Sequence, residues 1–252
     1  MLWKDTLKIM NFLKKLFDKF KRRRTSVKAW HFLKPDKRLN HRDGRLVELG
    51  VPIRSVIAPS ICVSGLHASL KALDAYRYCN WGNPIACRVV LRGKKEYGPD
   101  KLCAEERTVI GWCETTDILH ELACRVAEDL LIFYYKRDKT IKESLDVVRL
   151  AIVAKRDWLA NNRIGVVNTK FLSGKQQYAI NRKAPDLMSV INGILHMGAT
   201  ESFDRVLEIC KWDFEYYSAQ KQLQKYNKWF ERMLTVAMVY DTVSMLRENK
   251  KS

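Results

Sequence analysis

The stretch from Ile61 to Ser69 most constrains how this chain can fold, because it joins two kinds of local pattern. Its first half is apolar, as in a short strand, and a glycine, a histidine and two serines follow. Gly65 predicts a bend or a close approach of two backbones. Ser69 can cap a helix that begins at Leu70. The stretch therefore predicts a strand-to-helix corner.

Strand-like runs lie on both sides of this corner. Val27–Leu33, Ala86–Leu91 and Thr108–Cys113 are short, rich in β-branched or aromatic residues, and bounded by turn residues. Asp43–Gly44 is typical of a tight turn. We therefore predict an α+β domain over residues 25–113, built on a small mixed sheet of about four to six short strands.

After residue 113 the apolar residues recur at helical spacing. Ile118 to Phe133 and Ile141 to Leu159 each form such a stripe, and further helical patterns follow Asp186. Residues 114–252 are therefore predicted to form a helical domain whose helices pack as a bundle. A structural scaffold or a homo-oligomer contact is the simplest role for this half.

The first 24 residues predict an amphipathic basic helix, with apolar side chains on one face and lysines on the other. Two interpretations stay open. The apolar stripe packs on the rest of the protein, or residues 2–20 make a peripheral contact with an anionic membrane or an acidic partner. We expect no membrane-spanning helix, because no apolar run reaches about 18 residues.

The chain is strongly basic, with 46 Lys and Arg against 28 Asp and Glu and a formal net charge of +18. This balance indicates either an acidic partner, which is nucleic acid, an anionic membrane surface or an acidic protein face, or a soluble protein with Lys-rich solvated faces. Basic residues beside the aromatic Phe171 and Tyr178 form either a nucleic-acid contact or, more commonly for such a stretch, a solvated loop. The candidate nucleic-acid contacts are Lys21, Arg22, Arg23, Arg24, Lys170, Lys175, Arg182 and Lys183.

The cysteine and histidine spacings favour neither a disulfide framework nor a metal site. The seven cysteines are odd in number and contain no C-x-x-C pair, which indicates reduced thiols and a cytoplasmic location. The five histidines show no H-x-x-x-H or H-E-x-x-H spacing, and no Gly-rich phosphate-binding motif occurs. We therefore predict no metal and no cofactor from the residues alone.

Five segments occur in a characteristic order: KAWHFL at 28–33, DGR at 43–45, SGLHAS at 64–69, CRV at 87–89 and DKL at 100–102. In this the chain resembles an uncharacterised family of phage and prophage proteins, although Val63 stands where that family usually has Glu. The resemblance covers residues 27–135 and 218–238. It implies a phage-type accessory protein, located in the cytoplasm of a bacterial host or in the virion, and it implies no activity.

A weaker likeness, at the level of the fold, is to ADP-ribosyltransferases. It implies NAD as cofactor, with His31 and Tyr78 as its binding residues and His31, His67, Tyr78, Glu105 and Glu106 as catalytic candidates. His67 stands where that family has a tyrosine. From the residues alone, His31 and His67 are either acid/base groups of a cleft or hydrogen-bonded structural histidines.

Three functional hypotheses follow. The first is an accessory protein that binds nucleic acid or another acidic macromolecule. The second is an NAD-dependent, ADP-ribosyltransferase-like enzyme, and the third is a virion or assembly component. Convergence of His31, His67 and Glu105 or Glu106 beside one cleft would favour the enzyme.

Overall fold

The computed structural model describes residues 26–39, 43–79, 82–137, 141–163, 185–213 and 216–248, and four single residues between 169 and 180. The basic helix predicted at 1–24 and the eight predicted nucleic-acid contacts lie outside these described residues. The chain divides into two compact units. Unit 1 holds the described residues within Met1–Cys79, Ile85–Cys113 and Asp241–Ser252, and unit 2 those within Asn80–Pro84 and Glu114–Tyr240.

Unit 1 is built on a five-stranded sheet. Its strands are β1 (Val27–Leu33), β2 (Pro52–Arg54), β3 (Leu66–Ala68), β4 (Ile85–Tyr97) and β5 (Leu102–Glu114). The order is β1-β4-β5-β2, and β3 also pairs with β5. The pairings of β1 with β4 and of β2 and β3 with β5 are antiparallel, whereas we had predicted a mixed sheet.

The sheet is covered on both faces around β4, whose residues 85–91 are nearly all buried. Such a strand is a continuous apolar run rather than an alternating one. On one face Phe32 of β1 meets Tyr76 of the short helix α1 (Ala72–Tyr76), with ring centroids 5.8 Å apart. The other face forms the hydrophobic core, which includes Ala29, Leu33, Cys87, Val89, Leu91, Leu102 and Ala104.

The corner around Gly65 closes the sheet on itself. β3 pairs with β5, and the next residue, Ser69, exchanges two backbone hydrogen bonds of 2.7 and 2.9 Å with Trp30 of β1. Gly65 has φ +91°, and a Cβ there would lie 3.0 Å from Pro59, which confirms the predicted close approach of two backbones. Closure of this kind leaves fewer unpaired strand edges.

Three details of the predicted corner were wrong. Residues 61–63 form a turn, and the strand begins only at Leu66. Ser69 does not cap the helix, because its backbone N–H and carbonyl are both bound to Trp30; α1 begins at Ala72 with Lys71 before it and no side-chain cap. Leu70, predicted to begin the helix, lies before it and is 56% exposed.

Unit 2 is helical in the part that the structure describes. The helices are α2 (Thr116–Arg137), α3 (Lys142–Ala160), α4 (Pro185–His196), α5 (Ala199–Asp213) and α6 (Tyr216–Glu248), the last up to Tyr240 in this unit. α2 packs against α3 and α5, and α4 packs against the same two helices. The predicted stripes are confirmed by the burial of Leu119, Leu122, Val126, Leu130, Leu145, Val148 and Ile152.

The chain is therefore an α+β protein, as predicted. Among the described helices, none combines the length and the apolar character needed to cross a bilayer.

Candidate functional site

The side chain of His67 holds the turn that precedes β3. Its Nε2 accepts a hydrogen bond of 3.3 Å from the backbone N–H of Cys62, so the ring is neutral in this arrangement. Cys62 has a left-handed backbone, with φ +65°, and an exposed thiol. His67 thus stabilises a conformation that few non-glycine residues adopt.

Tyr78, Asp100 and Lys101 meet beside the same turn. The Tyr78 hydroxyl donates a 2.6 Å hydrogen bond to Asp100 Oδ2, which is the main reason that the pKa of Tyr78 is raised. The Lys101 ammonium lies 4.3 Å from the centroid of the Tyr78 ring, and a hydrogen bond with the Cys62 thiol is the main cause that raises the pKa of Lys101. Asp100 therefore fixes a ring that is flat, partly exposed and adjacent to a positive charge.

His31 is half-buried and lies near the buried Arg107 of unit 1. It lies on the same face of β1 as Ala29 and Leu33, opposite Cys87 of β4. Burial, then the charge of Arg107, then that of His67, hold the pKa of His31 well below its usual 6.5. His31 is therefore neutral at physiological pH.

Arg107 lies near His31 and binds the backbone of His67. It is 3% exposed, and its Nη1 donates a 2.7 Å hydrogen bond to the carbonyl of His67. Burial lowers its pKa from 12.5 to about 10, and its Nε is buried without a hydrogen-bond partner. It forms no ion pair among the described residues; Asp43, whose charge partly offsets the effect of burial on the pKa of Arg107, is itself bound to Arg45 at 2.6 Å.

Sequence reasoning missed Arg107, although a signal for it exists. Counting back in steps of two from the apolar Val109 places Arg107 on the core face of β5. Towards the start of β5, the core-facing positions change from odd-numbered to even-numbered residues, because Ala104 and Leu102 are also in the core. The irregularity falls at Glu105 and Glu106, whose side chains therefore leave the core face.

Glu105 and Glu106 line an open pocket of about 390 Å³. The Glu106 carboxylate contacts Arg54 Nε at 3.2 Å and Arg92 Nη1 at 3.5 Å. The Glu105 carboxylate accepts a 3.0 Å hydrogen bond from the backbone N–H of Lys94. The remaining described lining residues are Ser55, Val56, Ile57, Ala58 and Gly93.

The five predicted catalytic candidates thus fall into three surroundings within unit 1. His31 faces the core near Arg107, the side chains of His67 and Tyr78 lie beside the Cys62 turn, and Glu105 and Glu106 line the pocket. The described lining of that pocket contains neither histidine nor Tyr78. NAD, which the fold-level likeness implies, would need His31, Tyr78 and Glu106 around one ligand, and these residues share no described pocket.

Within the described residues, no three His, Cys, Asp or Glu side chains are grouped so that they could hold a metal ion. Comparison of the chain with protein-family models, with curated proteins and with solved structures found no match. Function is therefore argued from the side chains of unit 1.

Proposed function

We propose that the chain is an accessory protein that binds nucleic acid, and that a corner surface of unit 1 makes the contact. The corner surface consists of Cys62, Tyr78, Tyr97 and Lys101. The observation that carries the proposal is the Lys101 ammonium 4.3 Å from the ring of Tyr78, a ring that is 47% exposed. Proteins that bind single strands stack bases on such rings and contact the phosphates with adjacent cations.

The turn between β4 and β5 belongs to this surface. The backbone N–H of Gly98 donates to the carbonyl of Lys101 at 2.8 Å, and a Cβ at Gly98 would lie 3.7 Å from the side chain of Ile61. The hairpin end therefore packs on the turn that contains Cys62. Tyr97, next to Gly98, is 59% exposed and offers a second ring for stacking.

The charge distribution supports the same proposal. Basic residues outnumber acidic ones over residues 26–113. The carboxylates that form ion pairs in this unit, Asp43, Asp74 and Glu106, bind only arginines. Lys94, Lys95 and Lys101 form no ion pair among the described residues, so their charges remain available to phosphates.

The proposal is tested by fluorescence anisotropy with labelled single-stranded DNA and RNA at several salt concentrations. Lys101→Ala should weaken binding of every sequence and reduce the salt slope by about one. Tyr78→Leu should cost about 1–3 kcal/mol, the usual worth of one stacked base. The matched control is Lys142→Ala, which removes an exposed lysine of unit 2. Absence of binding at low salt, or equal losses in Lys142→Ala and Lys101→Ala, would refute the proposal.

The placement of the catalytic candidates favours binding over the NAD-dependent alternative. His31 faces the core, the Tyr78 hydroxyl is bound to Asp100, and Glu106 is held by two arginines. A virion or assembly role, self-association, the helical bundle, and membrane contact through residues 2–20 remain predictions.

A further inference from the structure

The pocket beside β2 and the β4–β5 hairpin has the size of a small-molecule site. Its volume of about 390 Å³ lies within the range of ligand pockets. One wall is the loop Ser55–Ala58, and the others are strand residues of β2, β4 and β5. None of its described lining residues belongs to the corner surface, so it is a distinct site of unit 1.

The pocket lining carries Arg54 and Arg92 against Glu105 and Glu106, but both arginines contact the same one of the two carboxylates. One carboxylate, Glu106, is shared by Arg54 and Arg92, and Arg92 also donates to Thr108 Oγ1 at 3.2 Å. Neither terminal nitrogen of Arg54 makes a hydrogen bond to a described residue, and the Arg54 side chain is 68% exposed. Two guanidinium groups around one carboxylate leave planar donors for a second anion, and phosphate fits their geometry.

The opposite wall is apolar and faces solvent. Val56 is 96% exposed and Ile57 is 66% exposed. The loop that carries them is fixed, because the Ser55 hydroxyl donates to the carbonyl of Ile57 at 2.7 Å and the Ser55 N–H donates to the carbonyl of Glu105 at 2.8 Å. A fixed, exposed apolar surface beside cations suits a ligand with a flat apolar part and an anionic part.

Glu105 provides a third kind of contact. Gly93 has φ +78°, and the space where its Cβ would stand is filled by the Glu105 carboxylate. Oε2 of Glu105 accepts the N–H of Lys94, whereas Oε1 has no hydrogen-bond partner among the described residues. A carboxylate oxygen held in this way can accept a hydrogen bond from a sugar hydroxyl.

We propose that this pocket binds the phosphomonoester of a nucleoside, either as a free mononucleotide or as the phosphorylated end of a nucleic acid. Arg54 and Arg92 bind the phosphate, Glu105 accepts a ribose hydroxyl, and Val56 and Ile57 contact the base. Glu106 competes with the phosphate for both guanidinium groups and so limits the affinity. This proposal does not depend on nucleic-acid binding at the corner surface.

The test is isothermal titration calorimetry of the full chain with adenosine monophosphate, adenosine and inorganic phosphate. Adenosine monophosphate should bind at least about tenfold more tightly than adenosine. Arg54→Ala and Arg92→Ala should each weaken it about 10- to 100-fold, the usual worth of a hydrogen bond to a charged group. Arg54→Lys keeps the charge but loses the planar fork, and should bind less tightly than the wild type.

Two substitutions make the test specific. Glu106→Gln should tighten the binding of adenosine monophosphate several-fold, because it removes the competing charge without changing the shape of the side chain. Arg77→Ala is the matched control, since Arg77 is an exposed arginine of unit 1 paired with Asp74 outside the pocket. Its affinity should equal that of the wild type.

A second titration distinguishes a free mononucleotide from the phosphorylated end of a nucleic acid. It uses dinucleotides with and without a 5′-phosphate, and the Lys101→Ala variant, which lacks the corner contact. Binding of the phosphorylated dinucleotide without binding of the mononucleotide assigns the pocket to a nucleic-acid end. The proposal is overturned if neither phosphomonoester binds at millimolar concentration, if adenosine binds as tightly as its monophosphate, or if Arg77→Ala and Arg54→Ala lose affinity equally.

Discussion

Each unit of the chain places one histidine near one buried cation, and the two cations have different hydrogen-bonding or ring partners. In unit 1, His31 lies near Arg107, which is 3% exposed; in unit 2, His120 lies near Lys155, which is 2% exposed. Arg107 donates to the carbonyl of His67, whereas Lys155 lies 4.3 Å from the ring of Trp158. Neither cation forms an ion pair among the described residues.

The difference follows from the backbone around each cation. Helix interiors use their carbonyls within the helix, so a buried lysine between helices meets side chains rather than free acceptors. β3 is three residues long and reaches β1 only through Ser69, which leaves the His67 carbonyl available to Arg107. A small, irregular sheet can therefore accommodate a buried cation by backbone hydrogen bonding, and the helices of unit 2 offer an aromatic face instead.

The largest effect is expected for Lys155→Met. Burial lowers the pKa of Lys155 from 10.5 to about 8. The unfolded chain therefore binds more protons than the folded one between pH 8 and 10.5, and stability rises with pH across that window. Below pH 8 the buried charge costs about 3 kcal/mol, which methionine, a side chain of similar length, does not incur.

Urea unfolding of wild type and Lys155→Met at pH 7 and above pH 10 measures this effect. The variant should be more stable at pH 7, and the difference should disappear at the higher pH. In the folded state neither His120, with its pKa lowered to about 3 by burial, nor Cys124, with its pKa raised to about 12 by burial, titrates in the window. In the unfolded chain Cys124 does titrate there, but equally in wild type and variant, so its contribution cancels from the difference. An equal difference at both pH values would show that Lys155 is not buried as a charge.

At pH 7, the stabilisation gained by Arg107→Met should be about 1–3 kcal/mol smaller than the stabilisation gained by Lys155→Met. The arginine substitution also relieves a buried charge, but it leaves the carbonyl of His67 without its donor, and an unsatisfied buried acceptor costs that amount. The comparison uses the same unfolding measurement. Equal gains in the two variants would mean that the hydrogen bond to His67 contributes nothing.

Much of the fold could be predicted from the sequence because it depends on local pattern. The stripes of α2 and α3, the strand β1 and the special backbone of Gly65 all follow from spacing or residue type. The exact position of the strand at the corner could not be predicted in this way, because the local sequence around Ser69 is compatible with two roles for that residue. Whether it caps a helix or pairs with Trp30 depends on a residue 39 positions away.

The candidate site was predictable to a smaller extent. His31 and His67 were identified as histidines on strand positions, and both do lie on strands, but on different faces: His31 shares the core face of β1 with Ala29 and Leu33, whereas His67 alternates with the core residues Leu66 and Ala68 of β3. Arg107, which lies with them, was overlooked because a buried arginine is rare and its position depends on the irregularity at Glu105 and Glu106. The partners of Glu106, Arg54 and Arg92, lie on other strands, so no local spacing reveals them.

The smallest effects are expected from one substitution made in both units, Gly→Ala. Gly93 of β4 has φ +78° and the Glu105 carboxylate in the place of a Cβ, so Gly93→Ala should destabilise unit 1 by about 1–2 kcal/mol. Gly193 lies inside α4, and a Cβ there would lie 3.3 Å from Arg205 Cγ, 3.5 Å from Arg205 Cβ and 3.8 Å from the carbonyl oxygen of Ser202. Because Arg205 must shift near its own backbone, Gly193→Ala should stabilise unit 2 by less than the ~1 kcal/mol that helix propensity supplies.

Thermal or urea unfolding of the two variants measures both signs. Gly44→Ala separates the effect of the backbone conformation from that of the contact with Glu105. Gly44 also has a positive φ, +63°, but has nothing within 4 Å of its Cβ position. If Gly44→Ala and Gly93→Ala cost the same, the backbone conformation alone accounts for the loss. A larger cost at Gly93 shows that the Glu105 carboxylate occupies its position in the pocket, which the proposed nucleotide site requires.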